Sequence, residues 1–324
     1  MDLPWLSVVI AARPGQRDIA AVKSARRLDY PRERLQILVA RGRQPSAQRN
    51  TAIRQARGEW IYFLDDDSMP CPGNAQRYLK HRADPKVVVI GGPNLCPPDA
   101  PPLEAAFGAV MANSLAFGPS AARYRATGGV RDSTEKELIL CNLFMRRDVL
   151  MEAGGFDEAL YPNEENALMD HLLRQGYRLI YDPALWVARR PRSTLRSFML
   201  MVFTYGRGRA EQVRLHPTPG SLLNCAPALF CLYLVALPWL PSWTVPGLGL
   251  YALVVLVARR VPSREKNAPD LRRVPAPPQV AWWKSSGLIV LTHLGYGLGF
   301  WRGLFTSLKS ARDRTSIPVT VEEL

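Results

Sequence analysis

The sequence has little of the residue types that build zinc sites and disulfide frameworks. Its 324 residues include five cysteines without any Cys-x-x-Cys spacing and four histidines that lie far apart. Such cysteine usage is typical of a reducing compartment. The opening residues, MDLPWLSVVIAARPG, hold only a short apolar run between prolines and an arginine. We therefore expect no secretory signal peptide there.

Acidic residues are also in the minority, which narrows the class of ligand. The chain has 42 Lys plus Arg against 28 Asp plus Glu, a formal net charge of +14. Such a balance favours phosphorylated ligands or an anionic membrane surface. The sequence has no Walker-type glycine loop, its basic residues are dispersed, and no nucleic-acid-binding module is recognisable. We do not expect a nucleic-acid partner.

The first two thirds of the chain alternate between apolar and amphipathic segments, the pattern of an α/β fold. Four apolar runs predict buried strands at residues 6–12, 35–40, 59–64 and 86–92. Two amphipathic segments predict helices at residues 18–28 and 46–56, the second capped by Ser46. This alternation predicts parallel crossovers and a sheet with helices on both faces. In open sheets of this kind, ligands bind beyond the carboxyl ends of the strands.

Three consecutive aspartates end the third predicted strand, in YFLDDDS at residues 62–68. Asp65 and Asp67 point to similar sides of an extended chain, whereas Asp66 points away. Adjacent carboxylates repel, so each keeps its charge only beside a positive partner. Such oxygen ligands suit Mg²⁺ or Mn²⁺, bound with help from substrate phosphates. Taken alone, the pair is a weak signal, because many solvated turns carry one and such a turn is the simpler explanation.

A second acidic cluster, NEEN at residues 163–166, precedes a predicted helix. Acids at a helix N-terminus are favoured by the helix dipole, and this alone explains Glu164 and Glu165. A catalytic role is the alternative interpretation.

From about residue 216 the sequence becomes membrane-like. Hydrophobic segments of nearly membrane-spanning length lie at residues 221–240, 243–258 and 285–305. An arginine- and proline-rich loop at 259–283 separates the last two, and the positive-inside rule places it in the cytoplasm. Buried core helices, or a segment lying in the membrane interface, are the alternatives. We expect a catalytic domain at 1–215, a membrane region with two to three hydrophobic helices at 216–306, and a tail at 307–324.

Four motifs occur here in the order found in one enzyme family: SVVIAARPG, QRNTAIRQARGEWIYFLDDDS, CNLFMRRDVLMEAGGFDE and NEEN…LLRQGYRLIYDP. Over about residues 5–215 the chain resembles glycosyltransferase family 2, inverting enzymes of the GT-A fold. This fold is Rossmann-like, with a mostly parallel sheet. The later FTYGRGRAEQ and THLGYGLGFWRGLF resemble a membrane-attached bacterial subgroup that makes exopolysaccharide, the succinoglycan-type enzymes among them.

The resemblance implies roles for both acidic clusters. Asp65 and Asp67 take the family's metal-binding positions, and Asp65 and Asp66 belong to the motif that holds the donor diphosphate. Glu165 takes the position of the catalytic base, with Glu164 beside it and a glutamate in place of the usual aspartate.

The resemblance also implies the ligands. Arg207 and Arg209 correspond to an arginine motif that contacts the pyrophosphate. The expected cofactors are Mg²⁺ or Mn²⁺ and a nucleotide-sugar donor, most simply a UDP-sugar. The expected acceptor is a lipid-linked saccharide or a polysaccharide at the bacterial cytoplasmic membrane, with the catalytic domain facing the cytoplasm. The oligomeric state stays open.

One departure from the family concerns the nucleobase. Relatives have an aspartate after the second strand that contacts the base, but LVARGRQPS has no acid there. Arg13, Arg41 and Arg49 are candidates to hold phosphate or base instead, or are solvated surface arginines. A metal-dependent nucleotidyltransferase and an inactive scaffold subunit remain the alternative functions.

Overall fold

The computed structural model describes residues 3–158, 160, 163–215, 224–258, 274, 275, 278, 280, 282–307 and 318–324. The strands are β1 (Leu6–Ala12), β2 (Leu35–Arg41), β3 (Trp60–Asp65), β4 (Met69–Pro70), β5 (Val87–Gly91), β6 (Asn94–Leu95), β7 (Arg131–Asp132), β8 (Asn142–Arg146), β9 (Arg178–Tyr181), β10 (Val187–Ala188) and β11 (Thr320–Glu323). The α-helices are α1 (Ala20–Ala25), α2 (Pro45–Gln55), α3 (Asn74–His81), α4 (Pro102–Met111), α5 (Ser114–Phe117), α6 (Arg147–Glu152), α7 (Glu164–Arg174), α8 (Leu195–Leu215), α9 (Ala226–Ala236), α10 (Pro246–Ala258) and α11 (Trp282–Phe305).

Eight strands form one mixed sheet in the order β11-β2-β1-β3-β8-β5-β9-β7. Strand β1 runs parallel to both of its neighbours, β2 and β3, and β5 runs parallel to β9. Strands β11, β8 and β7 run antiparallel to the strands beside them. A small second sheet has the order β4-β10-β6. The α/β architecture is confirmed, and the four predicted strands correspond to β1, β2, β3 and β5.

Helices cover both faces of the large sheet. On one face Val22 of α1 and Tyr78 of α3 belong to the same apolar cluster as Tyr62 of β3. On the other face Ile53 of α2 clusters with Phe63, the next residue of β3. Successive residues of a strand point to opposite faces, so one apolar run supplies both cores.

Helix α2 begins with Pro45 rather than at Ser46, and its cap differs from the prediction. The side chain of Gln44 accepts a hydrogen bond from the backbone N–H of Ala47. Ser46 is buried inside the first turn. The prediction of a Ser46 cap was wrong because Pro45, whose fixed φ suits the first helical position, begins the helix and moves the cap two residues earlier, to Gln44.

The predicted membrane region contains α9, α10 and α11. No helix in the described part of the chain is both long enough and apolar enough to cross a bilayer. Helices α9 and α10 have 11 and 13 residues, whereas a span needs about 20. The expectation of membrane-spanning helices is therefore not supported within the described residues of these segments. Residues 216–223 and most of the basic loop at 259–283 lie outside the described residues.

Helix α11 packs along α8 at backbone contact distance. A Cβ added to Gly206 would lie 2.1 Å from the carbonyl oxygen of Tyr296. A Cβ on Gly299 would lie 2.0 Å from the carbonyl oxygen of Phe203. Glycine is therefore required at both positions for the two backbones to approach this closely. This contact joins the C-terminal helices to α8.

Part of the predicted tail belongs to the large sheet. Strand β11 pairs antiparallel with β2, with Thr320 opposite Arg41 and Glu323 opposite Leu38. The expectation of a tail apart from the catalytic domain is corrected by this pairing.

Candidate active site

The aspartate triplet lies at the carboxyl end of β3, near the middle of the large sheet. Asp65 Oδ2 lies 3.0 Å from Arg189 Nη1, and Asp67 Oδ1 lies 2.5 Å from Nε of the same guanidinium. Asp66 turns away, and its Oδ2 accepts a hydrogen bond from Gln16 Nε2 at 2.7 Å. The predicted division, with Asp65 and Asp67 on one side and Asp66 on the other, is confirmed. We call Asp65 and Asp67 the clamp aspartates.

A single buried arginine joins the clamp aspartates to the second acidic cluster. Arg49 extends from α2, and its Nη2 lies 3.0 Å from Asp65 Oδ1. Its Nη1 lies 3.0 Å from Glu164 Oε1, and the exposed fractions of the Arg49 and Glu164 side chains are 7% and 3%. Breaking a buried pair of this kind is costly, so the guanidinium holds both carboxylates in place. Two acidic motifs far apart in the sequence therefore form one site.

The clamp aspartates have different charge environments. Burial alone would raise the pKa of Asp65, but the charges of Arg189 and Arg49 hold it below its usual value. Burial raises the pKa of Asp67, and the neighbouring Asp65 charge adds to the increase despite Arg189. An added cation would favour the ionised form of Asp67.

The start of α7 presents its two glutamates differently. Asn163 caps the helix with φ 94°, and among the described residues it alone combines a positive φ with a side chain. Asn166 Nδ2 donates to Asn163 Oδ1 at 2.8 Å, which holds this turn. Glu164 is buried and Glu165 is half-buried. Burial raises the pKa of Glu164, and the Glu165 charge adds to the increase. Glu165 is thus the glutamate that is more open to an incoming ligand.

Two of the predicted arginines lie at the ends of neighbouring strands. Arg13 is exposed in the turn after β1, and Arg41 is the last residue of β2. Arg41 Nη1 donates to the backbone carbonyl of Gln16 at 2.7 Å. Because the side chain of Gln16 donates to Asp66, both arginines lie on the edge of the sheet that carries the triplet.

The arginines assigned to the pyrophosphate lie in the second half of α8. Arg207 pairs with Glu211 one turn further along, at 3.4 Å. Arg209 Nη1 donates to Gln212 Oε1 at 3.0 Å and hydrogen-bonds to Tyr296 of α11. Ion pairs to the clamp aspartates come from Arg49 and Arg189 instead, and a pyrophosphate contact by Arg207 or Arg209 stays a prediction.

Sequence reasoning missed the basic segment that follows β10. Arg189 bridges the clamp aspartates, and the charge of Arg192 also acts on Asp65. Strand β10 has only two residues, too few for an apolar pattern to be recognised. The available signal was the dense run ARRPRS itself. The hydroxyl of Tyr205 in α8 is hydrogen-bonded to Tyr124. Burial raises the pKa of Tyr205, and the charges of Arg189 and Arg192 act against that increase.

The clamp aspartates fit a divalent metal that is shared with a ligand. Among the described residues, no group of three or more His, Cys, Asp or Glu side chains is arranged to hold a metal ion alone. Mg²⁺ characteristically takes one or two protein carboxylates and completes its shell with substrate phosphates and water. Asp65 and Asp67 supply that number of carboxylates. The donor set therefore suits a metal that arrives with a phosphorylated ligand.

Comparison with known proteins indicates a family for part of the chain. Residues 22–152 match the family model described as Glycosyl transferase family 2. The chain contains a glycosyl transferase family 2 domain. The clamp aspartates lie within the matched residues, whereas Glu164, Glu165 and Arg189 lie beyond them.

Two related proteins are similar to this chain over longer stretches than the family model. The chain is 26% identical over 232 residues to the Pre-mycofactocin glycosyltransferase of Mycobacterium tuberculosis, a match covering 67% of this chain and 44% of the relative. It is 29% identical over 168 residues to the Succinoglycan biosynthesis protein ExoA of Rhizobium meliloti, covering 49% and 46%. The chain spans a little under half the length of these relatives.

A solved structure shares the fold. The mannosyltransferase PcManGT from Pyrobaculum calidifontis, in complex with GDP-Man and Mn²⁺, superposes with a TM-score of 0.56 at 16% identity. The match covers 91% of this chain and 87% of that one. This likeness concerns the fold, which is the GT-A fold that the sequence resemblance implied.

Proposed function

We propose that the protein is an inverting glycosyltransferase that moves a sugar from a nucleotide-diphosphate donor to a lipid-linked or polysaccharide acceptor. The observation that carries this proposal is the bridge from Asp65 through Arg49 to Glu164. It unites a diphosphate clamp and a glutamate pair in one site, as sugar transfer requires. A nucleotidyltransferase would need the clamp but has no use for the glutamates.

The clamp aspartates would hold the divalent metal together with the donor diphosphate. When bound, this metal supplies Lewis-acid stabilisation of negative charge on the leaving diphosphate. Arg189 and Arg192 add fixed positive charge at the same end of the sheet.

Glu165 is the catalytic base in this proposal. Its carboxylate accepts the proton of the acceptor hydroxyl while that oxygen bonds to the anomeric carbon from the face opposite the diphosphate. The bond between the anomeric carbon and the diphosphate oxygen breaks, and the nucleoside diphosphate leaves with the electron pair. The anomeric configuration is inverted. Glu164, held by Arg49, fixes the start of α7.

A UDP-sugar is the donor that we propose, on the resemblance stated above. The structural neighbour binds GDP-Man, so guanosine donors form the natural second arm of the test. Arg13 and Arg41 at the ends of β1 and β2 are the proposed contacts for the nucleoside part, since no acid follows β2.

We propose attachment to the surface of the bacterial cytoplasmic membrane, with the acceptor lipid-linked and made there for cell-surface polysaccharide. Helices α9 and α10 and the link between them carry no charged residue. They expose large apolar side chains, including Trp239 at 81%, Trp243 at 77% and Val257 at 72%. Exposed tryptophans on an apolar face, in a strongly basic chain, suit the interface of an anionic bilayer.

The test is release of nucleotide from a panel of UDP- and GDP-sugars by the full-length protein, with Mg²⁺, with Mn²⁺ and with chelator. We expect metal-dependent release from one donor, and none from the nearly isosteric variant Asp67→Asn. No release from any donor would contradict the proposal and favour an inactive scaffold. Release of pyrophosphate from a nucleoside triphosphate would favour a nucleotidyltransferase.

A further inference from the structure

Strand β11 is the outermost strand on one side of the large sheet. It covers the side of β2, and the carboxyl end of β2 belongs to the candidate donor site. Strand β11 lies against β2, the strand that ends at Arg41, and the backbone N–H of Leu324 donates to the carbonyl of Ile37 at 3.0 Å. Val319 and Val321 pack against the apolar core beneath α2. Without β11, the backbone N–H and C=O groups on one side of β2 would lack strand partners, and the apolar residues of β2 would lie at an exposed sheet edge.

The two glutamates of β11 lie on opposite faces of the sheet and have different partners. Glu322 Oε2 accepts hydrogen bonds from Arg41 Nε at 3.2 Å and Nη2 at 3.1 Å. Glu323 pairs with Arg57 and accepts a hydrogen bond from Gln36 Nε2 at 3.1 Å. Only Glu322 therefore contacts a residue at the carboxyl end of a strand, where ligands bind.

A continuous chain of polar contacts runs from Glu322 to the aspartate triplet. Arg41, held by Glu322, donates through Nη1 to the backbone carbonyl of Gln16 at 2.7 Å. The side chain of Gln16 donates to Asp66 Oδ2 at 2.7 Å. Its Oε1 also accepts from the backbone N–H of Arg13 at 3.3 Å. The turn after β1 is thus fixed between the end of β2 and the end of β3.

We propose that β11 is part of the donor site, and that Glu322 is a positioning residue that holds Arg41 for the nucleoside part of the donor. The inference rests on the proposed function. It also supplies an acid beside the end of β2, where the sequence after that strand has none. This acid acts through Arg41, because its carboxylate is already bound to the guanidinium.

The expected effect is modest because the pair is partly open to solvent. The side chains of Arg41 and Glu322 are 24% and 50% exposed, and such pairs contribute little by Coulomb attraction alone. Loss of orientation at Arg41 adds to the loss of charge. We expect Glu322→Gln to weaken binding of a nucleoside diphosphate by about fivefold, within the range of one partly exposed ion pair.

The matched control is Glu323→Gln, the same substitution on the next residue of the strand. The full-length protein is titrated with UDP and with GDP in Mn²⁺ by calorimetry, and the thermal midpoint of each variant is measured. We expect Glu322→Gln to raise Kd and the donor KM with kcat unchanged, and Glu323→Gln to leave both constants unchanged. In the double variant Arg41→Gln with Glu322→Gln, Kd should equal that of Arg41→Gln alone.

Two results would overturn the inference while the proposed function stands. One is unchanged Kd in Glu322→Gln. The other is an equal increase in Kd for both glutamate variants, which would mean that β11 acts only by stabilising the sheet. If the wild-type protein binds neither nucleotide, the proposed function fails, and this inference fails with it.

Discussion

Large apolar side chains are buried in the α/β region, whereas many of those in α9 and α10 are exposed. In the sheet, Tyr62, Phe63 and Phe144 are fully buried, and charged groups gather at the strand ends. In α9, Val235 is 67% exposed, and in α10, Val257 is 72% exposed. An exposed contiguous apolar surface usually marks an interaction site. If the proposed function is right, chemistry and attachment belong to different regions, so each should fail separately when its residues are changed.

The largest effect is expected within the α/β region, at a buried ion pair outside the site. Asp182 is fully buried and bonded to Arg77 Nε at 2.7 Å and to His81 Nε2 at 2.8 Å. Asp182→Asn should lower the free energy of unfolding by about 3–5 kcal/mol, the cost of leaving a buried charge uncompensated. Urea unfolding at neutral pH measures it. Asp148→Asn, at a half-exposed pair with Arg146, should cost less than about 1 kcal/mol.

The same residue gives a pH prediction. Burial would raise the pKa of Asp182, but hydrogen bonds from His81 and Arg77 hold it below its usual value of 3.8. A depressed pKa stabilises the fold above the unfolded-state pKa, and this contribution is lost as pH falls through the folded-state pKa. The difference in unfolding free energy between wild type and Asp182→Asn should therefore shrink below about pH 4. A difference that grows there would contradict the assignment.

The next effect concerns catalysis alone. Glu165→Gln should cut transfer by about 10²-fold, the scale of losing a general base, while the donor Kd stays unchanged. Glu164→Gln is the control, with a milder loss, because Glu164 is not the proposed base and the amide oxygen of Gln can still accept a hydrogen bond from Arg49. Single-turnover rates measure both. A dead Glu164→Gln beside a normal Glu165→Gln would reverse the two roles, and no effect from either would make the start of α7 purely structural.

The smallest effect concerns attachment. The paired change Trp239→Ser with Trp243→Ser should lower partition onto vesicles containing anionic lipid by about tenfold, because binding scales with buried apolar area. Nucleotide affinity should not change. Met151→Ser removes a half-exposed apolar side chain from the α/β region and should leave partition unchanged. Equal partition of wild type and the tryptophan variant would remove α9 and α10 from the membrane proposal.

Apolar runs in the sequence predicted some strands of the large sheet and missed others. Strands β1, β2, β3 and β5 were predicted because each is a continuous apolar run that is buried on both faces. Strand β8 was not, although it lies between β3 and β5, because its segment was recognised only as a family motif. Strand β11 is short and charged, and its partner lies far away in sequence. No periodicity indicates such a pairing.

The residues of the candidate site also divide into those that a local motif reveals and those that only tertiary contacts reveal. The aspartates and glutamates were found because each motif is compact and lies at a strand or helix end. That Arg49 contacts both, and that Arg189 bridges Asp65 and Asp67, depends on side chains meeting from separate elements. The apolar character of α9 and α10 was predicted, and so was the short length of α10. The short length of α9 was not predicted, because Pro238 lies inside the apolar run and the helix ends before it.

The central claim is that one site contains a metal-dependent donor clamp and a separate base. It is tested most directly by measuring the Kd of the nucleoside diphosphate, with and without Mn²⁺, for the full-length wild type, Asp67→Asn and Glu165→Gln. We predict that Mn²⁺ strengthens binding to wild type and to Glu165→Gln alike, and that Asp67→Asn loses this strengthening. Equal dependence on Mn²⁺ in wild type and Asp67→Asn would contradict the account.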